Sequence, residues 1–248
     1  MDIGNWDGMM DCGWDDLSDF LKKTISDFSK KILQYPQCAP SDKVGELITE
    51  KSVLRFSKIA DVLAEEIKQG YYYQYEDLFE DVPNGKLINC WVLLGALIEV
   101  SLQMFLTIYI LDYENMAWQQ WKDFKSQEVK ESLFSTLRGL VQNGNLTSKQ
   151  SKSIKNAIEE KIYEHTVEHP VEKVMLDELI QICEQEELFN HEVNSYMRLI
   201  QKSRNAIHAY IDRTIGTWDD LQYATRFLVA FVNELVFRLP DLPDEEFV

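Results

Sequence analysis

The stretch LINCWVLLGALIEVSLQMFLTIYIL, Leu87 to Leu111, carries a single charged side chain, Glu99, at its midpoint. Its length would permit a membrane span, for which about 20 apolar residues suffice. Glu99 argues the other way. A charge at the centre of a membrane helix costs about 2.5–3.5 kcal/mol, which offsets several leucines at about 0.5 kcal/mol each. Asn89, Ser101 and Gln103 add further polar cost. The stretch therefore reads as a long central helix buried inside a bundle, and Glu99 then needs a cationic or hydrogen-bonding partner.

On either side of this helix the chain carries few breakers. Ten glycines and six prolines in 248 residues amount to roughly half the average share of about 12%. The punctuation falls at Pro36 and Pro40, Pro83-Asn84-Gly85, Asn143-Gly144-Asn145, His169-Pro170 and Gly216. Between these marks apolar residues recur at three and four, the helical period. The spacing predicts helices over 15–34, 43–69, 86–112, 116–141, 147–165, 171–187, 190–211 and 218–238. Nothing alternates long enough to make a strand. In GTWDDL, Gly216 ends one helix, and Thr217 with Asp220 has the spacing of a capping box for the next. The expectation is one compact all-α domain, a bundle of about eight helices around a long buried central helix, in which 1–85 is an acidic-started N-terminal helical extension and 86–248 the bundle.

The net charge of −17 speaks against a chain-wide nucleic-acid surface, since phosphate binding needs clustered Lys and Arg. The acid concentrates at the ends, with six aspartates before Leu21 and four acids after Arg238. Such ends are solvated or bind a basic partner protein. Arg198, Lys202, Arg204 and Arg213 stand against one acid, Asp212, in a local basic patch. That patch can meet RNA, or can pair with acidic neighbours. Cys12, Cys38, Cys90 and Cys183 are scattered without a CxxC or ligand-like spacing, and the acidic start lacks a cationic leader region. A reduced, cytoplasmic setting is expected, with no membrane span, metal or cofactor.

Within that patch, QKSRNAIHAYIDR, Gln201 to Arg213, places Arg204, Asn205 and His208 close together on a helix. At about 100° per residue, Phe189, Val193, Tyr196, Ile200, Ile207 and Ile211 form one apolar stripe, and Arg204 projects within about 40° of its centre. An arginine there is buried against an acid such as Glu99, or faces a cleft or a partner subunit.

These features together resemble the HEPN superfamily, the helical domains of prokaryotic defence and toxin–antitoxin ribonucleases. LLGALIEVSLQMFL is similar to that superfamily's long core helix with its acidic residue. LRGLVQNGNL resembles the following helix and Gly-Asn turn, SRNAIHAY the signature helix, and WDDLQYATRFLVAFVNEL the closing one. The resemblance covers roughly residues 87–239. It departs at one point: the superfamily's Arg and His are separated by four to six residues, and here only Asn205, Ala206 and Ile207 intervene. Lys202 would restore the spacing to His208 at the cost of the guanidinium.

The resemblance implies metal-independent RNA cleavage in a composite site between the two subunits of a homodimer. His208 would move the proton of the 2′-hydroxyl or of the leaving oxygen. Arg204 would steady the phosphorane charge with its fork, and Asn205 would orient the histidine or the substrate. Glu99, Arg198, Lys202 and Arg213 would support the site or bind RNA. The other reading is a catalytically silent helical module that binds a partner protein. Two further motifs stand out. HTVEH, His165 to His169, matches an inverted zinc-peptidase pattern, but Pro170 biases His169 out of helical geometry. Tyr71, Tyr72, Tyr73 and Tyr75 could stack bases, or pack as a helix end and loop.

Overall fold

Eleven α-helices and no strand occupy the residues that the computed structural model describes, 12–77, 85–116, 126–166, 169–205 and 215–242. The all-α expectation holds. The helices are α1 (Trp14–Ile32), α2 (Asp42–Leu47), α3 (Glu50–Lys68), α4 (Gly70–Asp77), α5 (Gly85–Ile108), α6 (Ile110–Asn115), α7 (Ser126–Gln142), α8 (Ser148–Thr166), α9 (Leu176–Gln185), α10 (His191–Arg204) and α11 (Trp218–Arg238). They group into two compact units. One takes residues 1–110 and 171–248, and the other takes 111–170.

In the larger unit α5 is the axis. It packs against α3, α9, α10 and α11, while α1 bridges α3 and α11. Leu94, Leu97, Ile98 and Leu102 are fully buried, each burial contributing roughly 1.5–3 kcal/mol. Of the most apolar window of α5, 67% is buried inside the protein. That burial accounts for its composition. The residues before Gly85 are no appendage, because α1 and α3 enclose the same core as α10 and α11. The boundary expected at 85/86 therefore differs from the grouping that the contacts draw.

Local signals set the ends of these helices. Thr217 accepts from the Asp220 N–H at 3.2 Å and Asp220 Oδ2 accepts from the Thr217 N–H at 2.7 Å, the reciprocal box expected from the sequence. A second box splits the helix read over 43–69. Ser52 Oγ accepts from the Thr49 N–H at 2.9 Å, and Thr49 Oγ1 from the Ser52 N–H at 3.1 Å. The backbone turns between α2 and α3 there. Likewise the stretch read as 86–112 breaks at Tyr109, between α5 and α6. Helix α4 carries the tyrosine run: Tyr71, Tyr72 and Tyr75 are exposed, whereas Tyr73 packs on Trp218 with centroids 5.3 Å apart.

The smaller unit contains the α7–α8 hairpin. Its turn is a Schellman motif: the Asn145 N–H reaches Leu140 O at 2.9 Å and the Gly144 N–H reaches Val141 O at 3.1 Å. Gly144 takes φ 75°, the left-handed conformation in which a side chain is strained.

Candidate active site

One face of α5 carries Trp91, Gly95, Glu99 and Gln103 at every fourth residue. That spacing keeps these positions on one helical face. Gln103 Nε2 donates to Val174 O at 3.0 Å. Glu99 Oε2 accepts from the backbone N–H of Leu176 at 2.9 Å and from Nη1 of Arg204 at 2.6 Å. Leu176 is the first residue of α9, so the carboxylate sits where a helix start presents unbonded N–H groups and partial positive charge. One acid thus ties α5 to both α9 and α10.

Arg204 reaches Glu99 across Gly95. A Cβ at Gly95 would lie 2.6 Å from Arg204 Cδ and 3.1 Å from its Cβ and Cγ, so only glycine leaves room for the arginine stem. One turn earlier, Trp91 is fully buried and its ring lies against Gly216, where an added Cβ would come within 2.8 Å. Arg204 and Gly216 therefore rest on the same face of α5, one turn apart. His208 and Arg213, both expected at the site, lie outside the described residues.

The Glu99–Arg204 pair is largely shielded, with side chains 15% and 22% exposed. The sequence foretells this partnership, because each residue carries a charge where its helix is otherwise apolar. Nη1 is the Arg204 nitrogen engaged by Glu99, and the remaining edge of the guanidinium meets no carboxylate among the described residues. Asn205 caps the C-terminal end of α10, its N–H directed to Gln201 O and Ser203 O.

Arg198 is placed differently. Its Nε and Nη2 hold Glu184 at 3.1 and 2.8 Å, and its Nη1 holds Asp177. The guanidinium hydrogen bond holds the Glu184 carboxyl below the ordinary carboxylate range, and the same bond pushes Arg198 up. Gln201 adds a bond to Asp177 at 2.9 Å. Arg198 thus fastens α10 to α9. Lys202 is exposed one turn away. Of the expected basic patch, two arginines are committed to carboxylates. Sequence reasoning missed Trp91, Gly95, Asp177 and Glu184, all defined by tertiary packing.

Among the described residues no group of three or more His, Cys, Asp or Glu side chains could hold a metal ion. Glu168 of the HTVEH motif lies outside them, and the backbone oxygen of His169 accepts from Tyr113 Oη at 2.6 Å. The thiols of Cys90 and Cys183 are buried, and burial pushes both up to about 12, far from the reactive thiolate range. Set against known proteins, the chain matches no family model, no curated protein and no solved structure.

Proposed function

We propose that this protein is a HEPN-like, metal-independent endoribonuclease of antiviral defence or growth arrest, cytoplasmic and acting as a homodimer with a composite site. The observation that carries the reading is the Arg204–Glu99 pair. The carboxylate fixes one edge of the guanidinium at 2.6 Å, so the arginine is held in place before a phosphate arrives. Preorganised charge of this kind stabilises a developing oxyanion without reorganisation during the reaction. His208, four residues on, would take the 2′-hydroxyl proton. The 2′-oxygen would then attack the adjacent phosphorus, the 5′-oxygen would leave with a proton, and a cyclic phosphate would remain.

The test uses the purified full chain, a labelled single-stranded RNA and a chelating buffer. Cleavage that leaves a cyclic phosphate, and that disappears in His208→Ala with helical content intact, is the expected result. Light scattering at micromolar concentration should give a dimer. A strict monomer removes the composite site.

A second reading, a silent helical module binding a partner protein, is favoured by Arg198. Its charge is spent on Asp177 and Glu184, and the Arg204-to-His208 spacing is shorter than the superfamily pattern. A folded dimer that never cleaves RNA, with His208→Ala indistinguishable from it, gives the protein to this second reading.

A further inference from the structure

The longest acid-free run in the chain is Ser132 to Ile158, where no Asp or Glu occurs while Arg138, Lys149, Lys152 and Lys155 do. In the structure this interval is the turn end of the α7–α8 hairpin. There Arg138 and Gln142 of α7 face Ser148, Lys152 and Lys155 of α8 across a cleft of about 460 Å³. Arg138 and Lys152 are exposed, and Lys155 is half-buried with its ammonium 5.3 Å from the centre of the Phe134 ring. None of these three cations forms an ion pair among the described residues. Glu159 is the single carboxylate lining the cleft.

The start of α8 adds positive potential at the same end. Thr147 caps α8, its Oγ1 donating to Gln150 Oε1 at 2.8 Å and accepting from the Gln150 N–H at 3.3 Å. The 19-residue α8 therefore begins at the cleft, and a helix start carries partial positive charge. Ser148, Lys152, Lys155 and Asn156 fall on one stripe of α8, so polar and cationic groups succeed one another along the groove.

We infer that the α7–α8 turn end binds the sugar-phosphate backbone of single-stranded RNA. A phosphate chain is the ligand that uses unpaired cations in a row together with hydroxyl and amide donors. In a protein of net charge −17, cations left without carboxylates are the groups able to offset repulsion of such a chain. The choice of RNA rests on the ribonuclease reading. The capture of a phosphate backbone does not depend on cleavage.

The experiment measures binding of a fluorescent single-stranded RNA to the full chain across a salt series, for the parent and for Arg138→Gln/Lys152→Gln/Lys155→Gln. The parent should bind with an affinity that falls as salt rises. Each lost phosphate contact removes about 0.7 from the slope of log affinity on log salt, so the triple variant should lose about 2. The single Lys152→Glu change at an exposed position should weaken binding too, and stands in if the triple variant does not fold. Equal affinity and slope in parent and folded variants overturns the inference. Capture of phosphatidylserine vesicles but not of RNA overturns it as well. A protein that binds RNA through these residues and never cleaves it sinks the ribonuclease reading alone. One that cleaves RNA while the triple variant binds like the parent sinks this inference alone.

Discussion

Gly95 and Arg204 meet so closely that a methyl group on the glycine would lie 2.6 Å from the arginine Cδ. The arginine stem lies on bare helix backbone, and its path to Glu99 depends on that missing side chain. Gly95→Ala gains about 1 kcal/mol of helix propensity but overpacks a filled site, at about 1–3 kcal/mol. A net loss of about 1 kcal/mol in urea unfolding is expected. An alanine variant as stable as the parent would show that Arg204 leaves this groove freely.

Glu99 serves two donors, so its substitutions should rank. Glu99→Gln keeps an acceptor for the Leu176 N–H and should cost least. Glu99→Leu strands both that N–H and Arg204, and breaking a buried pair costs about 3–5 kcal/mol. With side chains 15% and 22% exposed, the loss should fall near the lower end, about 3 kcal/mol. Adding Arg204→Met to Glu99→Leu should recover part of it. Additive losses in the double variant would mean that the two groups are not coupled.

If Arg204 acts on phosphate, Arg204→Ala should lower RNA cleavage by a factor of about 10²–10³. Arg204→Lys should not restore it, because an ammonium cannot keep one edge on Glu99 and offer another to the phosphate. Full activity in Arg204→Lys would reduce the arginine to a simple point charge.

Arg198 holds Glu184 below its ordinary range. A lowered carboxyl contributes stability above the usual carboxylate range and loses it as the pH falls. Arg198→Gln should therefore destabilise the protein at pH 7, by about 1 kcal/mol for a pair this exposed. The gap between variant and parent should narrow as the medium becomes acidic enough to protonate Glu184. A gap independent of pH would assign the effect to packing of the arginine stem.

The buried thiols act at the other end of the scale. Cys90 and Cys183 stand at about 12 in the folded protein, against 9.0 ordinarily. Unfolding frees them to ionise near 9, so their contribution is complete below that value and is lost as the pH climbs toward 12. Each thiol should cost about 1.4 kcal/mol per pH unit in that interval. Cys90→Ala/Cys183→Ala should flatten the alkaline limb of the stability profile, and a limb unchanged by both substitutions would contradict this origin.

The central helix is legible in the sequence because a long apolar run with one acid has few other uses, and the acid demands a partner. Arg204 meets the same logic from the other side. The box at Thr217 and Asp220 follows the common spacing with an acid at its third position, whereas the box at Thr49 uses Ser52 and carries a weaker signal. Helix α4 has no apolar stripe, so periodicity does not reveal it. The pairing of Arg198 with Asp177 and Glu184 joins two helices, and no spacing within either one announces it. The hairpin's cations are inconspicuous for a simpler reason. Exposed lysines on a polar helix are ordinary, and in the denser cluster around Arg204 the fold pairs Arg198 and Arg204 with carboxylates.

The larger unit is assembled from chain segments on both sides of the α7–α8 hairpin. During synthesis α1, α3 and α5 leave the ribosome long before α10 and α11, the helices that cover them. The apolar faces of α5 must then wait through the whole hairpin for their partners, while the hairpin, whose contacts are local, can close as it emerges. Translation speed through residues 111–170 thus sets how long the nascent core stays uncovered.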